Sequence, residues 1–140
     1  MRYISVLFLL TISQSIFAID EDSKKEILER CKAQMSEYGA SMVKSCVDQD
    51  LTAWEKVASY RNSHQEISSR CLQQMQKYGY SMVESCITQD IDALQALSAI
   101  GPEYKSIVDR CSKQMGSYGY SMVYSCATQD IEAEEALKKY

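Results

Sequence analysis

Apolar residues in this chain recur at helical spacing on both sides of a glycine. Upstream lie Ile27, Cys31, Met35 and Tyr38; downstream Met42, Val43, Cys46, Val47, Leu51, Trp54, Val57 and Ala58 form a second stripe of the same period. Each stretch predicts an amphipathic helix. The pattern then returns twice: CKAQMSEYGASMVKSC begins at Cys31, CLQQMQKYGYSMVESC at Cys71 and CSKQMGSYGYSMVYSC at Cys111, a period of 40 residues with ten of sixteen positions identical in all copies. A fixed period of this length marks an array of supersecondary units, each too small to bury its apolar face alone.

The helix boundaries follow from local chemistry. Gly39 suits the left-handed position that ends a helix, Ser41 can accept the first free N–H groups of the next, and Ser81 with Glu84 reads as a capping box. Between repeats, Ser59–Ser63 and Ala99–Pro102 form the breaks; the second carries Gly101 and a proline suited to a first helical turn. First helices are expected near 23–38, 63–78 and 103–118, and second helices near 41–60, 81–99 and 121–139. A single long rod through Tyr38-Gly39 would keep the stripe on one face but would leave the cysteines without partners.

Cysteine spacing favours the hairpin. Cys31 lies eight residues before Gly39 and Cys46 seven after it, so on two antiparallel helices rising about 1.5 Å per residue they stand at nearly the same height. Six cysteines in a short exported chain imply disulfides. The pairs expected are Cys31–Cys46, Cys71–Cys86 and Cys111–Cys126. The expected fold is all-α: three disulfide-stapled antiparallel hairpins, six helices in all, stacked as a short repeat array or a compact bundle.

The first eighteen residues, MRYISVLFLLTISQSIFA, place one arginine before a short apolar run and end in small residues ahead of an acidic start. That is the pattern of a cleaved signal peptide, and the apolar run is too short for a bilayer span. The organisation expected is therefore a leader over 1–18 and hairpins over 19–60, 61–100 and 101–140. The product would be secreted or periplasmic, with no membrane span after cleavage. The formal net charge is −4, and loss of Arg2 with the leader makes it one unit more negative. With no basic stripe to offset it, this surface disfavours nucleic acid.

Four recurring features could carry chemistry. Cys31, Met35, Met42 and Cys46 are soft donors that could hold Cu(I), although a secreted chain favours disulfides with methionines packed beside them. Arg30 recurs with Gln49-Asp50, Arg70 with Gln89-Asp90 and Arg110 with Gln129-Asp130, at a spacing that brings each pair within reach across a hairpin or between neighbouring repeats. Tyr38, Tyr78, Tyr80, Tyr118 and Tyr120 cluster at the turns, with Ala40 where later copies have tyrosine; Tyr78, Tyr80, Tyr118 and Tyr120 are the partner-contact candidates, with Tyr80 and Tyr120 favoured. His64, the single histidine, stands outside the repeated positions. No nucleophile–base pair, histidine-rich zinc site or glycine-rich phosphate loop is present, so no catalytic residue and no cofactor is assigned.

The run from Cys31 through Met42, Cys46 and Gln49 resembles paired-cysteine helical hairpins of uncharacterised exported bacterial proteins. It differs from their commonest form, which has Trp-Pro where this chain has Met35-Ser36, Met75-Gln76 and Met115-Gly116. Disulfide-stapled Sel1-like repeats are similar in design but carry a Gly-Ala signature missing here. Neither resemblance implies an activity. The function expected is binding of another macromolecule, with a protein the expected partner; the alternatives are a soft-metal carrier and an inhibitor or immunity protein acting on an extracytoplasmic enzyme.

Overall fold

A computed structural model describes residues 19–140. The expected leader over 1–18 lies outside the described residues. Six helices follow in order: α1 (Glu21–Met35), α2 (Ala40–Ser63), α3 (Gln65–Met75), α4 (Tyr80–Ser98), α5 (Lys105–Met115) and α6 (Tyr120–Leu137). Each odd-numbered helix runs into a 3-10 turn, Ser36–Tyr38, Gln76–Tyr78 or Gly116–Tyr118, then a single glycine, then the longer even-numbered helix. Three disulfides close the hairpins in the expected pairing, each with Cα atoms 5.7 Å apart.

Stacking is carried by the even-numbered helices. Helix α2 packs along α4 and α4 along α6, while α1, α3 and α5 each pack on the partner within their own hairpin. The result is an array rather than a closed bundle. Its larger core joins the first two repeats through Ile27, Trp54, Val57, Ile67, Val83 and Ile87, and a smaller one gathers Ile107, Val123 and Ala127 with Leu97 and Ile100 from the preceding repeat. In each repeat the first-helix cysteine is fully buried beneath this apolar layer.

Three local expectations are revised. Helix α2 does not stop at Tyr60 but continues to Ser63, since no glycine or proline interrupts it; the chain turns at His64, whose N–H still donates to the Tyr60 carbonyl. The turn glycines are not in the left-handed helical region. Gly39, Gly79 and Gly119 have φ of 98°, 117° and 121° with ψ near extended values, a region open almost only to glycine. Nor does Ser41 or Ser81 cap its own helix: α2 and α4 have no side-chain cap of their own, and Glu84 turns away to pair with Lys56 of the preceding repeat at 2.6 Å.

Candidate functional site

The Arg–Asp pairs form the seams between repeats. Arg30 pairs with Asp50 across the first hairpin and Arg70 with Asp90 across the second. Each aspartate then reaches into the next repeat. Asp50 accepts the Ser81 N–H at 3.0 Å, and Asp90 accepts the N–H groups of Tyr120 and Ser121 at 2.9 and 3.0 Å. Arg70 also donates to the Tyr118 carbonyl at 3.2 Å. One carboxylate therefore neutralises a guanidinium and caps the positive end of a neighbouring helix, which satisfies otherwise orphaned donors. The glycine before the helix makes room: a Cβ on Gly79 would lie 2.9 Å from Asp50 Oδ2.

Beside this clip sits a ring. Tyr80, immediately after Gly79, is only 3% exposed and belongs to the core shared with Ile27, Trp54 and Val57. Burial, with the charge of Glu26 on α1 added to it, pushes its phenol above the ordinary tyrosine range. Tyr120 takes the equivalent place in the second seam, half-buried near Glu66, Ile67 and Arg70. Of the two favoured contact candidates, Tyr80 is packed away inside the seam, which leaves it closed to a partner, and Tyr120 is half-buried. Alanine stands at the equivalent position 40, where it is exposed and no described repeat packs against it.

The exposed aromatic and thioether side chains lie elsewhere, and in a regular series. Tyr38, Tyr78 and Tyr118 are 64%, 55% and 63% exposed, and Met42, Met82 and Met122 are 46%, 47% and 45% exposed. The series is continuous across the first seam, where Met42 of one repeat and Tyr78 and Met82 of the next line a single groove with Gln34, Gln49 and Arg30. Tyr78 and Tyr118 thus remain available as contact residues, joined by Tyr38 and the three methionines. Sequence reasoning passed over the methionines because they read as packing beside the disulfides. The signal that could have found them is their identity in all three copies at positions the core does not use.

The soft donors are differently disposed. All six cysteines are in disulfides, so Cys31 and Cys46 offer no thiolate in this oxidised form; Met35 and Met42 line the groove just described together with Cys46. Cys111, Cys126 and Asp130 cluster in the third repeat, but both sulfurs belong to one bridge. His64 is half-buried at the α2–α3 corner, its ring edge-on to Tyr60 with centroids 6.3 Å apart. Among the described residues no helix is long and apolar enough to cross a membrane. Three disulfides accord with an oxidising, extracytoplasmic compartment.

No protein-family model, curated protein or solved structure matches the chain.

Proposed function

We propose that this is an exported, non-enzymatic repeat protein that binds another macromolecule, a protein, along its Tyr–Met series. The observation that carries the reading is the repetition of large exposed side chains. Some neighbouring surface positions diverge between the copies, as Lys32, Leu72 and Ser112 do, or Lys44, Glu84 and Tyr124, and among the invariant exposed polar positions Gln49, Gln89 and Gln129 each donate to the serine four residues earlier. Tyr38 and Met42 do not diverge, although neither is held by burial. Tyrosine supplies contact area at small entropic cost, and methionine adapts its shape to irregular partners. Three evenly spaced copies also allow one extended partner to engage several repeats, so that weak contacts combine.

A non-catalytic role is supported by the state of the polar groups beside the series. Arg30 and Asp50 are committed to each other and to the next helix, and no free carboxylate, histidine or thiol shares the groove with the methionines. Inhibition of, or immunity to, an extracytoplasmic enzyme is a special case of this binding.

Photo-crosslinking amino acids placed at Tyr78 and Met82, with Glu55 on the opposite run of α2 as control, test the reading in an extracytoplasmic extract. The same discrete adduct is expected from both ladder positions and not from the control. Adducts of equal yield from all three would refute it.

A further inference from the structure

The repeats contain three Arg–Asp sockets and three glycine-led helix starts, yet only two seams. Among the described residues one socket and one start are therefore left over, and they lie at opposite ends of the array. At the last repeat, Arg110 pairs with Asp130, but their side chains are 52% and 43% exposed, against 17% and 2% for Arg70 and Asp90. At the first repeat, Gly39, Ala40 and Ser41 are exposed, and the α2 start has no side-chain cap. The apolar face behind that start is also open. Val43 and Val47 are half-buried and line an apolar groove with Leu28 and Ala40, whereas Val83, Ile87, Val123 and Ala127 at the same positions are at most 2% exposed because the preceding repeat covers them.

We infer that the two free ends fit each other: the last repeat of one copy docks on the first repeat of a second copy, continuing the stack across the boundary between chains. Asp130 then accepts the Ala40 and Ser41 N–H groups as Asp90 accepts those of Tyr120 and Ser121. Charge supports this occupant. Within the chain, residue 84 lines one groove with residues 52 and 56 across the first seam, where it pairs with Lys56, and residue 124 lines another with 92 and 96 across the second. The same register between copies sets Lys44 against Glu132, an attractive pair at the counterpart of Thr52, with Ala136 at the counterpart of the Lys56 that meets Glu84 internally. Such a contact is heterologous, so it propagates rather than closing on itself unless the rotation happens to form a ring. Because Ala40 brings no ring and Glu134 stands where Trp54 is buried, the contact between copies is weaker than an internal seam, reversible and dependent on concentration.

Sedimentation velocity of the oxidised protein from micromolar to millimolar concentration tests this. The wild type is expected to shift toward dimers and longer species. Lys44→Glu and Glu132→Lys, each alone, should weaken association about tenfold, and the two changes combined in one chain should restore it. Val43→Asp blocks only the head and Asp130→Arg only the tail, so each variant should be monomeric and their mixture should give a dimer that grows no further. Circular dichroism confirms that each variant retains its helices, and the exposed Lys44 and Glu132 changes stand as the test should Asp130→Arg lose them. A wild type that stays monomeric at the highest concentration overturns the inference. So does a mixture that forms no dimer, or a charge reversal that the compensating change does not rescue.

Discussion

The carboxylate of Asp90 accepts the backbone N–H of Ser121 at 3.0 Å, although the two lie 31 positions apart and in different disulfide-closed hairpins. Asp90 is 2% exposed and also holds Arg70. Its removal strands a guanidinium and two helix-end donors in a covered seam. Asp90→Ala is therefore expected to cost about 3–5 kcal/mol, as for a broken buried pair. The matching Asp130→Ala, at the open end, should cost under about 1 kcal/mol. Urea unfolding of the two variants at a concentration where the wild type is monomeric checks the contrast; similar losses would show that the seam contact is not what makes Asp90 matter.

Glycine substitutions should separate backbone strain from crowding. Gly39 and Gly119 share positive φ, but a Cβ on Gly39 meets nothing within 4 Å, whereas one on Gly119 lies 2.9 Å from Asp90 Oδ1 and closer still to Arg70. Gly39→Ala should cost about 1–3 kcal/mol from the backbone alone. Gly119→Ala should cost more, because the clip must also open. Gly116 has ordinary helical angles and open space, so Gly116→Ala should stabilise by about 0.4–1 kcal/mol. Thermal midpoints in the order Gly116→Ala, wild type, Gly39→Ala, Gly119→Ala are the expected result.

Two tyrosines only two residues apart should behave oppositely. Truncating the buried Tyr80 to alanine is expected to cost about 3–5 kcal/mol, comparable to other large core aromatics. Tyr78→Ala should change stability by about 0.5 kcal/mol or less while weakening partner capture. Denaturation and crosslinking yield, measured on the same preparations, decide whether stability and binding divide between these positions as stated.

Burial of Tyr80 also carries a pH signature. Its folded-state pKa is raised, so the stability its neutral ring contributes is whole below the unfolded value of about 10 and is lost as pH rises past it. Tyr80→Phe removes the ionisable group and keeps the ring. Above about pH 10 the wild type should lose stability faster than the phenylalanine variant; parallel decline would assign the loss to other groups.

Each hairpin disulfide closes a short loop, and joint replacement of Cys71 and Cys86 by serine should cost about 3 kcal/mol by the loop-entropy estimate. Non-reducing peptide maps of that variant should still show Cys31–Cys46 and Cys111–Cys126. A new linkage between repeats would show that each bridge depends on its neighbours.

The hairpin and its bridge were legible because both are local. Cys31 and Cys46 are placed by their distances from one glycine, and helical rise does the rest. The pairing of Arg30 with Asp50 was legible for the same reason, being a contact within one hairpin. What Asp50 does next was not, because its second partner, Ser81, is 31 residues away and belongs to another repeat. Residues that look sufficient in one dimension misled here: Ser81 and Glu84 have capping-box spacing, yet a carboxylate from the repeat before supplies the cap. Burial of Tyr80 against exposure of Tyr78 could not be read from periodicity, since both flank the same glycine. Only Ala40, which stands where the later copies have Tyr80 and Tyr120, set the two positions apart.

The middle repeat alone has both halves of the clip occupied: Tyr80 and the α4 start engaged below, Asp90 and Arg70 engaged above. The first lacks the ring, and the third carries Glu134 where a neighbour would need an apolar side chain. In terms of how such a gene could lengthen, residues 61–100 are the cassette. Duplicating that block gives the new junction both the ring of Tyr80 and the clip of Arg70 with Asp90, whereas duplicating an end repeats either the missing ring of the first repeat or the Glu134 charge of the third, so the interior is where the array lengthens at least cost.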